Sequence, residues 1–178
     1  LMSDAEHQAG NLWESAMFAG NNKLSNLTGV IDRNNIQING MTEDVMPLEP
    51  LADKYKAFNW HVLEINGHNM AEVVNALETA RAIYEKPVVI IAHTIKGWGL
   101  EKLVGHPLNH AMRLKSEDMA KLRESLRIGE GEFPKFDAAS LEGRTITEMA
   151  AAIKVQKAQM QDMIESNERH SAEFLPNE

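Results

Sequence analysis

Cysteine is absent from the 178-residue chain. That excludes disulfides and thiolate metal sites. No apolar run approaches the length of a membrane-spanning helix, and no signal-peptide pattern opens the sequence. Positive charge is in deficit. The formal net charge of -8 argues against a nucleic-acid surface and leaves only local basic patches for phosphate. Internal repeats and low-complexity tracts are missing too. The glycine-lysine spacing of a Walker loop does not occur, and none of the 7 histidines forms the H-E-x-x-H pair of a helical zinc site. What remains is 43% hydrophobic and 25% charged. That composition predicts a soluble globular protein with a real core, expected in the cytoplasm and not at a membrane.

The pattern along the chain alternates strands with helices. Leu1-Met2-Ser3 reads as the tail of a strand, which predicts that further residues of the same domain precede it. Residues 10 to 22 predict a helix, with Asn11 and Glu14 as a capping box and Leu12, Trp13, Ala16, Met17 and Gly20 on one face. Leu27 to Ile31 is an apolar strand, and Asn39-Gly40 a turn signal. A loop over 41 to 47 leads to a short helix, Pro50 to Ala57. Trp60 to Ile65 alternates as a strand does and closes at Asn66-Gly67. Asn69 to Tyr84 is the clearest helix, with Met70, Val73, Val74, Leu77, Ala80 and Tyr84 as its apolar stripe. Pro87 to Ala92 is a run rich in β-branched residues, as in a strand covered on both faces.

This β-α-β-α-β-α-β order predicts an α/β fold with a parallel, doubly wound sheet and flanking helices. A long loop over 94 to 114, rich in Gly, His and Lys, follows the last strand, a place where loops are often functional. Ser116 to Leu126 predicts a helix, and residues 129 to 143 look irregular. Ile146, Met149, Ile153, Met160, Met163 and Ile164 then mark a C-terminal amphipathic helix, with the last ten residues frayed. Two regions result: an α/β domain over 1–115 and a helical extension over 116–178.

The chemistry gathers at strand ends. In Asp32-Arg33-Asn34-Asn35-Ile36 an apolar strand stops at amides and charges, at the carboxyl edge where open α/β sheets bind ligands. Asn34 offers an amide oxygen and the backbone around Ile36 a carbonyl, and both suit a hard cation such as Mg²⁺. The matching carboxylate is Asp4, also just past a strand tail. Turn and capping roles account for such residues equally well. Lys96, in Lys96-Gly97-Trp98-Gly99, is either a solvated lysine or a cation reaching over the sheet edge to a diphosphate, with both glycines allowing close backbone approach. His106 and His110 share the same loop, and either can bond a phosphate or a substrate hydroxyl. His61 reads as structural, and Glu6 and Glu14 as helix-dipole partners.

The segments Asp4 to Glu14, Asp32 to Gly40, Trp60 to Asn69 and His93 to Gly99 together resemble the thiamine-diphosphate motif region of transketolases, a resemblance that covers residues 1 to 115. The resemblance implies Mg²⁺ held by Asp4, Asn34 and the Ile36 carbonyl. It implies diphosphate contacts from the Ala5 N–H, Lys96 and His110, with His110 also touching substrate and His106 as the competitor for that role. It implies transfer of a two-carbon ketol unit between sugar phosphates. It also implies a second, pyrimidine-binding domain or subunit in a homodimer or heterotetramer, without which this chain is inactive.

Three departures stand out. Ser3 and Ala5 replace both motif glycines, and alanine at position 5 fits a negative φ but strains a positive one. Ala9 stands where the family commonly has a glutamate. Gly105 to Ala111 is closer to the decarboxylase component of 2-oxoacid dehydrogenase complexes, which supplies a second reading. A non-catalytic scaffold is the third.

Overall fold

The computed structural model describes residues 1–129, 131 and 135–174, with side chains through His170. Four parallel strands form the main sheet in the order β1-β2-β6-β5, where β1 is Met2–Ser3, β2 Thr28–Arg33, β5 His61–Asn66 and β6 Val88–His93. The helices α1 (Gly10–Asn21), α3 (Leu51–Ala57) and α4 (Met70–Ala82) make the crossovers. The α/β parallel sheet with flanking helices is therefore as predicted.

The β6 run explains itself by alternation. Val89 and Ile91 join Ile31 and Trp60 under α1 and α3, beside Ala16, Ala19, Leu51 and Tyr55. Val88 and Ile90 join Ala76 and Ala80 of α4 on the other face. Both faces are covered, so each position is apolar. The Trp60 Nε1–H donates to the Ala16 carbonyl at 2.8 Å and gives the buried indole its polar partner.

Several local expectations change. β2 runs on through Asp32 and Arg33, because parallel pairing with β6 continues to Arg33↔His93. Asn11 does not cap α1. Ala9 is the N-cap with no side-chain bond, and Asn11 lies inside the helix, its carbonyl accepting from the Ser15 hydroxyl at 2.8 Å. Met17 is exposed, while Ala19 takes a core place. α4 ends at Ala82, short of the expected Tyr84; its buried face is Ala76 and Ala80, with Val73 half-buried, whereas Met70, Val74 and Leu77, and Tyr84 beyond its end, are exposed. Asn69 caps α4 by accepting from the Ala71 and Glu72 N–H groups. The stretch expected as loop after residue 41 contains one helical turn, α2 (Thr42–Val45), following a small hairpin of β3 (Ile36–Gln37) and β4 (Gly40–Met41).

Leu1–Leu122 and Arg123–Glu178 are separate compact units. α5 (Ser116–Leu126) lies across that division, and α6 (Leu141–Phe174) belongs to the second unit. α6 begins before Ile146 and continues through Phe174, into the stretch expected to fray. Residues 130, 132–134 and 175–178, part of the predicted irregular segment and tail, lie outside the described residues.

Candidate functional site

The register of the sheet decides which residues meet. Ser3 pairs with Asp32 and Arg33 with His93, so the chain leaves β1, β2 and β6 at one carboxyl edge. Asp4, Asn34 and Thr94 are the next residues out. Thr94 ties two of these exits together: its N–H donates to the Arg33 carbonyl at 3.2 Å, and its hydroxyl donates to Asp32 Oδ1.

Asp4 is buried, 1% exposed. Its Oδ2 accepts from the Asn35 backbone N–H and from the Thr42 hydroxyl, the latter at 3.3 Å. Asn35 can present its N–H this way because it adopts φ 64, a conformation asparagine tolerates. Arg33 Nη1 lies 3.3 Å from the same oxygen, close enough for an ion pair but without hydrogen-bond alignment. The other oxygen, Oδ1, is buried and has no hydrogen-bond partner among the described residues. Burial pushes the Asp4 carboxyl above its ordinary value, only partly opposed by Arg33 and the Asn35 and Thr42 donors.

Arg33, itself buried, is the centre of a charge cluster. Its Nη2 donates to Glu43 at 2.6 Å and to Glu49 at 2.8 Å. Desolvation works against the guanidinium charge, but hydrogen bonds to Glu49 and Glu43 and the nearby Asp4 charge outweigh it and hold the group above its ordinary value. The cluster was not singled out from the sequence. A signal existed: Gly29, Ile31 and Arg33 share one buried face of β2, and an arginine in phase with core residues must find anions. Thr42 and Gln37 were also missed. Gln37 Oε1, on β3, is likewise buried without a partner among the described residues.

Each predicted site residue has a definite place. Asn34 follows β2, and its Oδ1 accepts from the Ile36 N–H at 3.0 Å, turning the chain sharply. Ile36 is buried at the start of β3. Ala5 opens a 3-10 turn, Ala5–Gln8, directly after Asp4 and is not among the residues with positive φ. Alanine therefore replaces the motif glycine there without backbone strain. His7, in the same turn, is buried: its ring bonds the Ser3 carbonyl at 2.8 Å and the Tyr55 hydroxyl at 2.9 Å, and burial pushes its pKa down.

Lys96 and His110 are brought together. Lys96 Nζ donates to His110 Nδ1 at 2.6 Å. His106, the competitor, instead turns its Nδ1 to the Leu108 N–H at 3.1 Å. Gly97 makes this loop possible, with φ +77; a Cβ there would lie 2.4 Å from Asn109 Nδ2 and 2.7 Å from the Leu103 carbonyl oxygen.

Oxygen donors and a lysine-histidine pair follow the carboxyl ends of strands in a parallel sheet, the edge at which open α/β domains bind ligands. Comparison with known proteins narrows this. The family model described as "Transketolase, thiamine diphosphate binding domain" matches residues 1–174. The chain belongs to the transketolase family, in its thiamine diphosphate binding domain. It is 44% identical over 117 residues to the 6-deoxy-6-sulfo-D-fructose transketolase subunit of Clostridium sp., covering 66% of this chain and 42% of that protein. It is 42% identical over 105 residues to an apulose-4-phosphate transketolase subunit of Phocaeicola vulgatus, covering 59% of this chain and 37% of that one. Among solved structures, the transketolase of Campylobacter jejuni superposes with a TM-score of 0.66 at 28% identity, over 92% of this chain and 27% of that one. The chain spans less than half the length of these relatives.

Proposed function

We propose that this chain binds the diphosphate end of thiamine diphosphate through Mg²⁺ and works as the diphosphate-binding half of a transketolase. Asp4 gives a carboxylate oxygen, Asn34 an amide oxygen and Ile36 a backbone carbonyl, a set of hard donors that suits Mg²⁺ shared with a phosphate. The observation that carries this is Asp4 itself. One carboxylate oxygen is clamped by Asn35, Thr42 and Arg33, while the other is buried with no partner among the described residues. A buried carboxylate oxygen without a partner is costly, and a cation removes the cost. The donor set suits the metal in kind.

Ala5 presents its N–H at the opening of a turn, where backbone donors lack intrahelical partners. Lys96 brings positive charge to the diphosphate. His110 is held by Lys96 through Nδ1 and presents Nε2 to phosphate or substrate. When bound, the cofactor supplies the thiazolium chemistry that breaks and remakes a carbon–carbon bond beside a ketose carbonyl. The protein binds, orients and neutralises charge.

The Clostridium and Phocaeicola relatives are both transketolase subunits. That supports a partner domain or subunit carrying the pyrimidine-binding half, in a homodimer or heterotetramer. It also supports a two-carbon ketol transfer from a ketose phosphate to an aldose phosphate, with an anionic group on the sugar. Residues 1–115 form the binding part and 116–178 a helical extension of it.

Calorimetric titration of thiamine diphosphate with Mg²⁺ into the protein assembled with its partner tests the reading. Binding in the parent and none in Asp4→Ala is expected. Equal affinity in the two would overturn the metal assignment. Turnover of pyruvate, but not of xylulose 5-phosphate with ribose 5-phosphate, would overturn the transketolase activity.

A further inference from the structure

We propose that His68 is a positioning residue: its imidazole, on the turn after β5, latches the loop that carries Lys96. The inference rests on Lys96 and His110 being the diphosphate-binding pair. It starts from the sheet. β5 and β6 are parallel neighbours with Asn66 opposite His93, so the turn after β5 lies against the loop leaving β6.

The contact between turn and loop is close. The Gly67 N–H donates to the His93 carbonyl at 2.8 Å. A Cβ on Gly67 would lie 2.5 Å from Thr94 Cγ2 and 3.2 Å from the Ala92 Cβ. Glycine is therefore needed for this approach. The base of His68 is fixed as well: its N–H donates to Asn66 Oδ1 at 3.0 Å, and Asn69 caps α4 immediately after it.

From this base a single ring holds two points of the loop. His68 Nε2 accepts from the Ile95 N–H at 2.8 Å. The same ring stacks on Trp98, with centroids 4.5 Å apart and planes at 28°. Ile95 and Trp98 bracket Lys96 and Gly97, and the Trp98 N–H closes that segment on the Ile95 carbonyl at 3.2 Å. Behind it, the Gly105 N–H donates to the Lys96 carbonyl at 2.9 Å. Lys96 thus leaves a backbone held on both sides and reaches His110. Because Nε2 accepts, the proton of the neutral ring is on Nδ1. His68 needs no contact with the ligand; it sets where the lysine points.

The test uses His68→Ala and His68→Gln in the chain assembled with its partner, with Lys96→Met as the reference. Amide hydrogen exchange at Ile95 without cofactor reads the latch directly. Thiamine diphosphate affinity with Mg²⁺ reads its consequence, and the unfolding midpoint reads global stability. In His68→Ala, Ile95 exchange and the dissociation constant should each rise about tenfold, the loss of one hydrogen bond plus a ring contact. The midpoint should change little, because the ring serves an exposed loop. In His68→Gln, whose amide oxygen can accept from Ile95, protection and most of the affinity should return. Unchanged Ile95 exchange in His68→Ala overturns the proposal. So does unchanged affinity where Lys96→Met weakens binding, and so does a loss that glutamine fails to restore. If the parent binds no thiamine diphosphate, the reading of the site fails, and the latch is still judged by Ile95 exchange.

Discussion

Replacing Arg33 with methionine tests the charge cluster around this buried guanidinium. The guanidinium is 2% exposed and meets Asp4 at 3.3 Å, Glu43 at 2.6 Å and Glu49 at 2.8 Å. Methionine fills much of the stem volume and brings no charge. Glu43 and Glu49 are 37% and 56% exposed, so both can return to water at small cost. Asp4, 1% exposed, cannot. Removing one partner of a buried pair costs roughly 3–5 kcal/mol. With two partners able to rehydrate, and Asn35 and Thr42 still bonded to Asp4, the low end of about 3 kcal/mol is expected. At a urea slope of about 2 kcal/mol per molar, the unfolding midpoint then falls by about 1.5 M. A double-mutant cycle identifies the cause. If the stranded charge is that of Asp4, Arg33→Met combined with Asp4→Ala loses at least about 1 kcal/mol less than the two single losses added. Additivity within about 0.5 kcal/mol, or a single loss below about 1 kcal/mol, would refute the reasoning.

Thr42→Val removes a hydroxyl donor from Asp4 and leaves the methyl contacts; a stability loss of about 1 kcal/mol is expected by chemical denaturation, with weaker Mg²⁺-dependent cofactor binding. Gly97→Ala puts a side chain at φ +77 against Asn109 and Leu103, so it should cost more than about 1 kcal/mol locally and lower thiamine diphosphate affinity by calorimetry. Acid should weaken the Arg33 cluster. Burial works against the Glu43 and Glu49 charges, but hydrogen bonds to backbone and to Arg33 outweigh it and hold both below the ordinary 4.5. Their contribution is therefore complete above pH 4.5 and is lost as pH falls through their lower folded values. Asp4, raised by burial, acts with the opposite sign: protonation relieves it. In Glu43→Gln/Glu49→Gln the acid limb of a stability–pH curve should flatten, and an unchanged limb would place the acid sensitivity elsewhere.

Much of the candidate site was readable in the chain. Asp4 and Asn34 follow strand tails, and a parallel sheet brings such exits together whatever the intervening helices do. Lys96 and its glycines stood out because φ-permissive residues around a lysine mark a loop built for close approach. The choice between His110 and His106 was not readable. Both lie in the same loop, and only the folding of that loop turns one ring to Lys96 and the other to the Leu108 N–H. The Asn11 capping box failed because a side-chain pattern three residues apart is satisfied inside a helix as easily as at its start. The α4 stripe was too wide. Tyr84 lies beyond the helix end, the other five apolar positions span more of the helix surface than the sheet covers, and the small residues Ala76 and Ala80 mark the side of closest approach.

Periodicity in the sequence was enough for the order of the main-sheet strands and their crossover helices, the two-sided burial of β6, the glycine-bearing lysine loop and the oxygen donors at two strand ends. These depend on local periodicity and on which backbone angles a residue tolerates. The tertiary structure decided the partners: Arg33 with Asp4, Lys96 with His110, and His68 with Ile95 and Trp98. Those pairings join residues well separated in the chain, and register between neighbouring strands, with the loops that leave them, sets which ones meet. Charge and hydrogen bonds acquire direction only once the sheet has fixed which chain exits lie side by side.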